Sequence, residues 1–377
     1  MYIARSLASI VQSRLFRGKA IVILGARQVG KSTLLKHLTE QTDKTVLSLN
    51  CDDPDTRRML SDISAVDLRL LVGRNQVIMI DEAQRVADIG MTLKRIVDQY
   101  PDVQVLATGS SSLNLRSAIN EPLTGRKYEY TMYPLSTAEI YQTLGLSETR
   151  QLLASRLVYG SYPDIVTHLD EAAELLATLA DSYLYKDILE LEDVRKPAVL
   201  QKILVALALQ VGSEVSFNEV ASTVGSDPKT VERYVDLLEK CYVIYSLHGL
   251  SRNLRNELKK TRKIFFYDTG IRNAIIQNYA PIDLRTDMGA LWENFFITER
   301  IKYNAYRGRK VNYYFWRTTS QQEIDFIEEC DGRFTIFEMK WNPKTKASFP
   351  QSFMDTYQPE NAYVVSPENY LEYLIEI

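Results

Sequence analysis

The chain has 377 residues, a formal net charge of −3 and 45% hydrophobic residues. That length exceeds a single core and predicts several domains, and the near-neutral charge excludes a globally basic, nucleic-acid-coating protein, so any such surface must be a local patch. Cys51, Cys241 and Cys330, like His37, His168 and His248, are scattered, which argues against a disulfide framework or a zinc site and makes each a packing residue. No apolar run approaches the length of a bilayer span, and residues 1–19 alternate charged and apolar positions at helical spacing, so the expectation is a soluble cytoplasmic protein with no membrane association.

The first strong signal is the apolar run Ala20 to Leu24 followed directly by Gly25, Ala26, Arg27, Gln28, Val29, Gly30, Lys31, Ser32 and Thr33. This fits a strand, a phosphate loop and the start of a helix. Gly25 and Gly30 permit the turn that aims successive N–H groups at one centre, and the helix dipole behind Lys31 adds positive potential there. The expected ligand is ATP, with Lys31 on the β and γ phosphates and the Ser32 hydroxyl on Mg²⁺. Arg27 and Gln28 either contact phosphate or cap the loop.

About fifty residues on, Val77 to Ile80 is a predicted buried strand that ends in Asp81-Glu82. Asp81 is the second expected magnesium ligand, and Glu82 the carboxylate that orients and partly deprotonates the attacking water. The next strand, Val103 to Ala107, ends in Thr108-Gly109-Ser110, which brings hydroxyls to the same sheet edge, with Thr108 or Ser110 as candidate sensors of the γ phosphate. With Leu123-Thr124-Gly125-Arg126, these segments resemble the AAA+-like ATPase domain of a large prokaryotic family of uncharacterised ATPases. The resemblance implies a second domain of unknown function with a fold like the PD-(D/E)xK nucleases. It also matches Arg126 to a small-Gly-Arg element, where a guanidinium serves either as an arginine finger to a neighbouring subunit, implying a ring or filament, or as a surface residue.

Residues 152–197 read as helical, with Tyr159 to Pro163 as a breaker. Leu200 to Gln210 predicts a buried helix. Phe217 to Val224, the turn Gly225 to Pro228 and Lys229 to Lys240 have helix-turn-helix spacing, and a strand from Cys241 makes this a winged helix. Lys229, Thr230, Arg233, Arg252, Arg255, Lys259, Lys260, Arg262 and Lys263 are candidate DNA-phosphate contacts, or else the solvated face of an interaction module.

A helix from Gly289 places aromatic residues toward a core, and strands follow at 311–317, 323–327 and 334–340. Glu338 and Lys340 share one strand face, and Asp325 on the preceding hairpin strand can meet them. All four positions match the nuclease-like pattern: Asp325 and Glu338 for Mg²⁺, Lys340 for the water or the developing charge, and Glu293 from the helix. The fold class is therefore α/β: an AAA+-like P-loop NTPase domain (1–145), a helical connector (146–197), a winged helix (198–280) and a restriction-endonuclease-like α/β domain (281–377). The leading function is a DNA-dependent, Mg²⁺-requiring ATPase or motor with a nuclease-like centre. The alternative is a nucleotide-controlled switch or scaffold that recruits a protein partner.

Overall fold

The computed structural model describes residues 1–110, 119, 121–181, 194, 196–251 and 262–376. They form two compact units. The first comprises Ala4–Pro134 with Lys240–Tyr242, and the second comprises Met1–Ile3, Leu135–Glu239 and Val243–Ile377.

The first unit is built on a five-stranded parallel sheet: β1 (Ala20–Leu24), β2 (Val46–Asn50), β3 (Val77–Asp81), β4 (Gln104–Gly109) and β5 (Lys127–Thr131), in the order β2-β3-β4-β1-β5. Every residue of β1 and β4 is buried, as central strands covered on both faces are: β1 is an unbroken apolar run, and β4 also buries the polar Gln104 and Thr108. Edge strand β2 leaves all but Leu49 wholly or partly accessible. Helix Ile89–Gln99 buries Ile89, Leu93, Ile96 and Val97, one stripe at helical spacing. Helix Pro54–Leu60 starts on the Asp53 side chain, which accepts from the Asp55 and Thr56 N–H groups, with proline at the first helical position. Because all the strands are parallel, the phosphate loop after β1, Asp81 at the end of β3 and Thr108 near the end of β4 share the carboxyl edge, where open α/β sheets bind ligands.

The second unit holds a mixed six-stranded sheet: β6 (Ile244–Gly249), β7 (Arg262–Phe266), β8 (Asn312–Arg317), β9 (Glu323–Cys330), β10 (Arg333–Met339) and β11 (Asn361–Val365), in the order β11-β10-β9-β8-β6-β7. Strands β9 and β10 are joined by Asp331-Gly332, both at positive φ (52° and 77°), the residue pair that a two-residue hairpin turn favours. The expected breaker at Tyr159 to Pro163 separates helix Leu146–Tyr159 from helix Pro163–Thr167. Helices Pro197–Leu209, Phe217–Val224 and Pro228–Lys240 follow the expected pattern, but the strand predicted from Cys241 starts at Ile244, because Tyr242 turns the chain at φ 58°.

The breaks expected at 145/146, 197/198 and 280/281 all fall inside this unit. The cause at the last of them is pairing between distant segments: β6 forms a hairpin with β7 and also pairs in parallel with β8, His248 opposite Tyr314. Helix Met288–Tyr306 buries 13 of its 19 residues, so its polar side chains need internal partners. Glu299 meets Arg156 at 3.0 Å and Lys302 at 2.8 Å, and Arg300 meets Glu328 at 2.6 Å. No described helix is long and apolar enough to cross a membrane.

Candidate active site

Gly25 enters the phosphate loop at φ 149° with no room for a side chain: an added Cβ would lie 2.1 Å from the Met132 carbonyl oxygen. Gly30 ends the loop at φ 94°, and Gln28 within it is also left-handed, at φ 59°. Lys31 opens helix Lys31–Glu40 and is buried. Its ammonium donates to the carbonyls of Gly25 (2.9 Å) and Ala26 (2.7 Å). Burial pushes the Lys31 pKa down to about 8, against the opposing pull of the Glu82 and Asp81 charges, with Arg27 adding to the depression. A buried cation that feels both acids sits at one centre with them. Ser32 and Thr33 are exposed on the first helical turn, and Val29 is buried.

Arg5 supports the loop from behind. Arg5 is 6% exposed, and its guanidinium donates to the carbonyls of Val29 and of Tyr133, the latter at 2.6 Å. Nothing in the N-terminal sequence singles this arginine out.

The Asp81 carboxylate accepts from the Thr108 hydroxyl, and the Glu82 N–H donates to Thr108 Oγ1 at 3.1 Å and to Asp81 Oδ1 at 3.2 Å. Thr108 is fully buried with its hydroxyl used in both directions. Its hydroxyl is thus tied to both acids, while Ser110, the other γ-phosphate sensor that the sequence offered, follows β4 directly. Glu82 itself lies at φ 52°, so the chain turns back at once into Ala83–Arg85. Gln84 in that turn donates to Glu82 and to Ser110, a connection the sequence did not reveal.

Arg126 immediately precedes β5, whose first residue Lys127 is level with Ala20, the first residue of β1. It thus lies at the amino edge of the sheet, opposite the phosphate loop, and pairs with Asp98 at 2.6 Å. It is not part of this chain's own phosphate site.

The second unit brings Glu293, Asp325, Glu338 and Lys340 together. The Met339 N–H donates to Asp325 Oδ2 at 3.0 Å, and the Lys340 ammonium lies 3.0 Å from Glu338 and 3.8 Å from Asp325. Burial, then the Asp325 charge, pushes Glu338 up to about 7. Burial pushes Glu293 up to about 8 although Lys263 opposes it. Among the described residues, no three His, Cys, Asp or Glu side chains are grouped as a metal site. The carboxylates are instead interleaved with ammonium groups.

One of those is Lys263, which the sequence placed in a DNA-facing tract. It is 3% exposed, with its ammonium 3.1 Å from Glu293 and 2.6 Å from Glu323. As a buried counter-ion it is not a surface phosphate contact. Neighbouring Arg262 stacks over the Phe217 ring at 4.2 Å. Helix Pro228–Lys240 exposes Lys229, Arg233 and Lys240 but also Glu232 and Asp236, so its outer face carries both signs. Asp227 caps the helix start, accepting the Thr230 N–H at 2.9 Å and the Thr230 hydroxyl at 2.7 Å. Arg252, Arg255, Lys259 and Lys260 lie outside the described residues.

Fold and site together define the first unit as an α/β P-loop ATPase domain. Residues 17–141 match the AAA domain family, residues 150–281 match a domain of unknown function (DUF8612), and residues 288–376 match another (DUF4143). The chain is 26% identical over 345 residues to an uncharacterised protein of Mycobacterium tuberculosis, covering 89% of this chain and 73% of that one. It is 26% identical over 286 residues to an uncharacterised protein of Haemophilus influenzae, covering 69% and 70%. Among solved structures, a Walker-type ATPase of Pyrococcus abyssi superposes with a TM-score of 0.52 at 16% identity, over 73% of this chain and 96% of that one. That likeness is one of fold.

Proposed function

We propose that this chain is a Mg²⁺-dependent ATPase of the AAA+-like type that acts on DNA. The observation that carries the ATPase reading is the convergence of a glycine-shaped loop, a buried Lys31 and the Asp81-Glu82 pair at the carboxyl edge of one parallel sheet. Bound Mg–ATP supplies the phosphoanhydride to be cleaved and a cation that offsets its charge. Lys31 exchanges its two carbonyl partners for phosphate oxygens, and the loop N–H groups hold the same oxygens. Ser32 and Asp81 would hold the magnesium. Glu82 orients the attacking water and receives its proton.

The DNA reading draws on the second unit. Helices Phe217–Val224 and Pro228–Lys240, followed by the β6–β7 hairpin, have the order of a winged helix, and Glu214 adds a bridge to Lys263 on β7. The cluster of Asp325, Glu338 and Lys340, with Glu293 from the helix, has the composition of a PD-(D/E)xK nuclease centre. Turnover of wild type and Lys31→Ala, alone and with single-stranded, duplex and branched DNA, tests the proposal. Stimulation by one DNA form, lost in the variant, supports it; an unchanged rate with every form refutes the DNA part.

The competing reading is a nucleotide-controlled switch whose nuclease-like centre is silent and whose second unit recruits a protein. It is favoured by Lys263, which neutralises the carboxylates from within, and by the mixed charge of helix Pro228–Lys240. Each DNA from the turnover assay, run on a gel with Mg²⁺ or Mn²⁺, separates the two: cleavage that vanishes in an Asp325→Asn, Lys340→Ala double variant supports the nuclease, and intact DNA supports the switch.

A further inference from the structure

Gln84 sits two residues beyond Glu82, in a turn that neither the strand nor the phosphate loop requires to be polar. Because Glu82 adopts a left-handed backbone, the chain doubles back and sets the Gln84 side chain beside the Glu82 carboxylate. Gln84 Nε2 donates to Glu82 Oε2 at 2.5 Å and to Ser110 Oγ at 2.9 Å. A carboxylate only accepts, so the amide nitrogen must face it, and this fixes which way the amide points.

The other end of the amide is left with no use. Gln84 Oε1 is buried and has no hydrogen-bond partner among the described residues. An apolar side chain would fill the same space without burying an unmade acceptor, so the two donated bonds are what a glutamine here provides. Both reach the proposed reaction site. One fixes Glu82, whose charge is the strongest acting on Lys31. The other reaches Ser110, the residue that follows β4.

We propose that Gln84 is a positioning residue for hydrolysis. Its amide holds the Glu82 carboxylate facing the phosphate loop and ties that orientation to the carboxyl end of β4 through Ser110. The assignment rests on the ATPase reading. Gln84 touches no phosphate and acts only through Glu82, so its loss slows the chemical step and leaves nucleotide affinity alone.

Steady-state turnover and binding of a non-hydrolysable ATP analogue, measured on the full chain for wild type, Gln84→Met, Glu82→Gln and the double variant, test this. Methionine keeps the shape and removes the donor. The expected result is a fall in kcat of about tenfold for Gln84→Met, with KM and the analogue Kd changed less than about twofold. In the Glu82→Gln background the second substitution should produce no further loss, because there is no carboxylate left to position. An unchanged or raised kcat, a weakened Kd that accounts for the whole effect, or an equal loss in both backgrounds would overturn the assignment. A wild type that binds the analogue but never turns ATP over would instead remove the ATPase reading, and the assignment with it.

Discussion

The Thr108 hydroxyl of β4 donates to the Asp81 carboxylate of β3, and the same oxygen accepts the Glu82 N–H at 3.1 Å. One buried side chain therefore fixes both acids of the proposed site. Thr108→Val keeps the shape and removes the hydroxyl, so the Asp81 carboxylate loses its buried donor and the Glu82 N–H keeps only its 3.2 Å bond to Asp81, at a cost of about 1 kcal/mol. Turnover should fall about tenfold, and the Mg²⁺ concentration for half-maximal rate should rise, because Asp81 is no longer held. A magnesium titration of turnover checks this; an unaltered titration curve would show that Asp81 keeps its orientation without Thr108.

Gly25 and Gly30 should respond differently to alanine. At Gly25 the new Cβ meets the Met132 carbonyl oxygen at 2.1 Å, so the loop must move, whereas at Gly30 the nearest atom is the Arg5 side chain at 3.5 Å. Gly25→Ala should abolish nucleotide binding. Gly30→Ala should carry only the strain of a left-handed alanine, about 1–2 kcal/mol. Titration with a fluorescent ATP analogue distinguishes them, and equal affinity in the two variants would contradict the contact at Met132.

Burial by itself would raise the Glu299 pKa, but Lys302 and Arg156 more than reverse this and hold it down at about 2, against an ordinary 4.5. A carboxylate with a depressed folded-state pKa stabilises the protein fully above its unfolded value, and that contribution is lost as pH falls from about 4.5 through about 2. Glu299→Gln leaves two buried cations short of a counter-charge and should destabilise the second unit by about 3–5 kcal/mol at pH 7. The gap between wild type and variant, read from urea midpoints, should narrow steadily from pH 5 to pH 3. A gap independent of pH would mean that the glutamate charge is not what matters.

Lys263 and Arg233, both read from sequence as DNA contacts, should separate cleanly. Lys263→Met removes the buried ammonium that lies between the partly buried Glu293 and Glu323, and should cost about 1–3 kcal/mol in stability. Arg233→Ala, on an exposed face, should change stability by less than about 0.5 kcal/mol. If helix Pro228–Lys240 meets DNA as proposed, the effect of the substitution is a shallower salt dependence of DNA binding. Thermal melts and salt-dependent binding assays decide both.

What the sequence made legible was chemistry governed by local backbone. The runs Ala20 to Leu24 and Val77 to Ile80 are apolar because central parallel strands are covered on both faces, and the loop from Gly25 to Ser32 is a short-range device whose spacing carries its geometry. Asp325, Glu338 and Lys340 were legible for a similar reason: a two-residue turn puts them on one face of one hairpin. Lys263 was not, because a lysine in a basic stretch reads as solvated; the available signal was its alternation with Phe265, which puts it on a core-facing side of β7. The pairing of β6 with β8 joins residues more than sixty positions apart, as does the use of Arg5 to hold Val29 and Tyr133 together, and no local pattern encodes either.

The β6–β7 hairpin belongs to two structures at once. Its first strand is hydrogen-bonded to β8, and its second carries Lys263 into the carboxylates of the acidic centre. A molecule that tugged on the hairpin would thus tug on the centre's own counter-ion, and a slip of β7 by one residue would swing that ammonium to the opposite face and leave Glu293 and Glu323 facing each other unshielded. The register of β7 and the charge balance of the acidic centre are therefore one and the same setting.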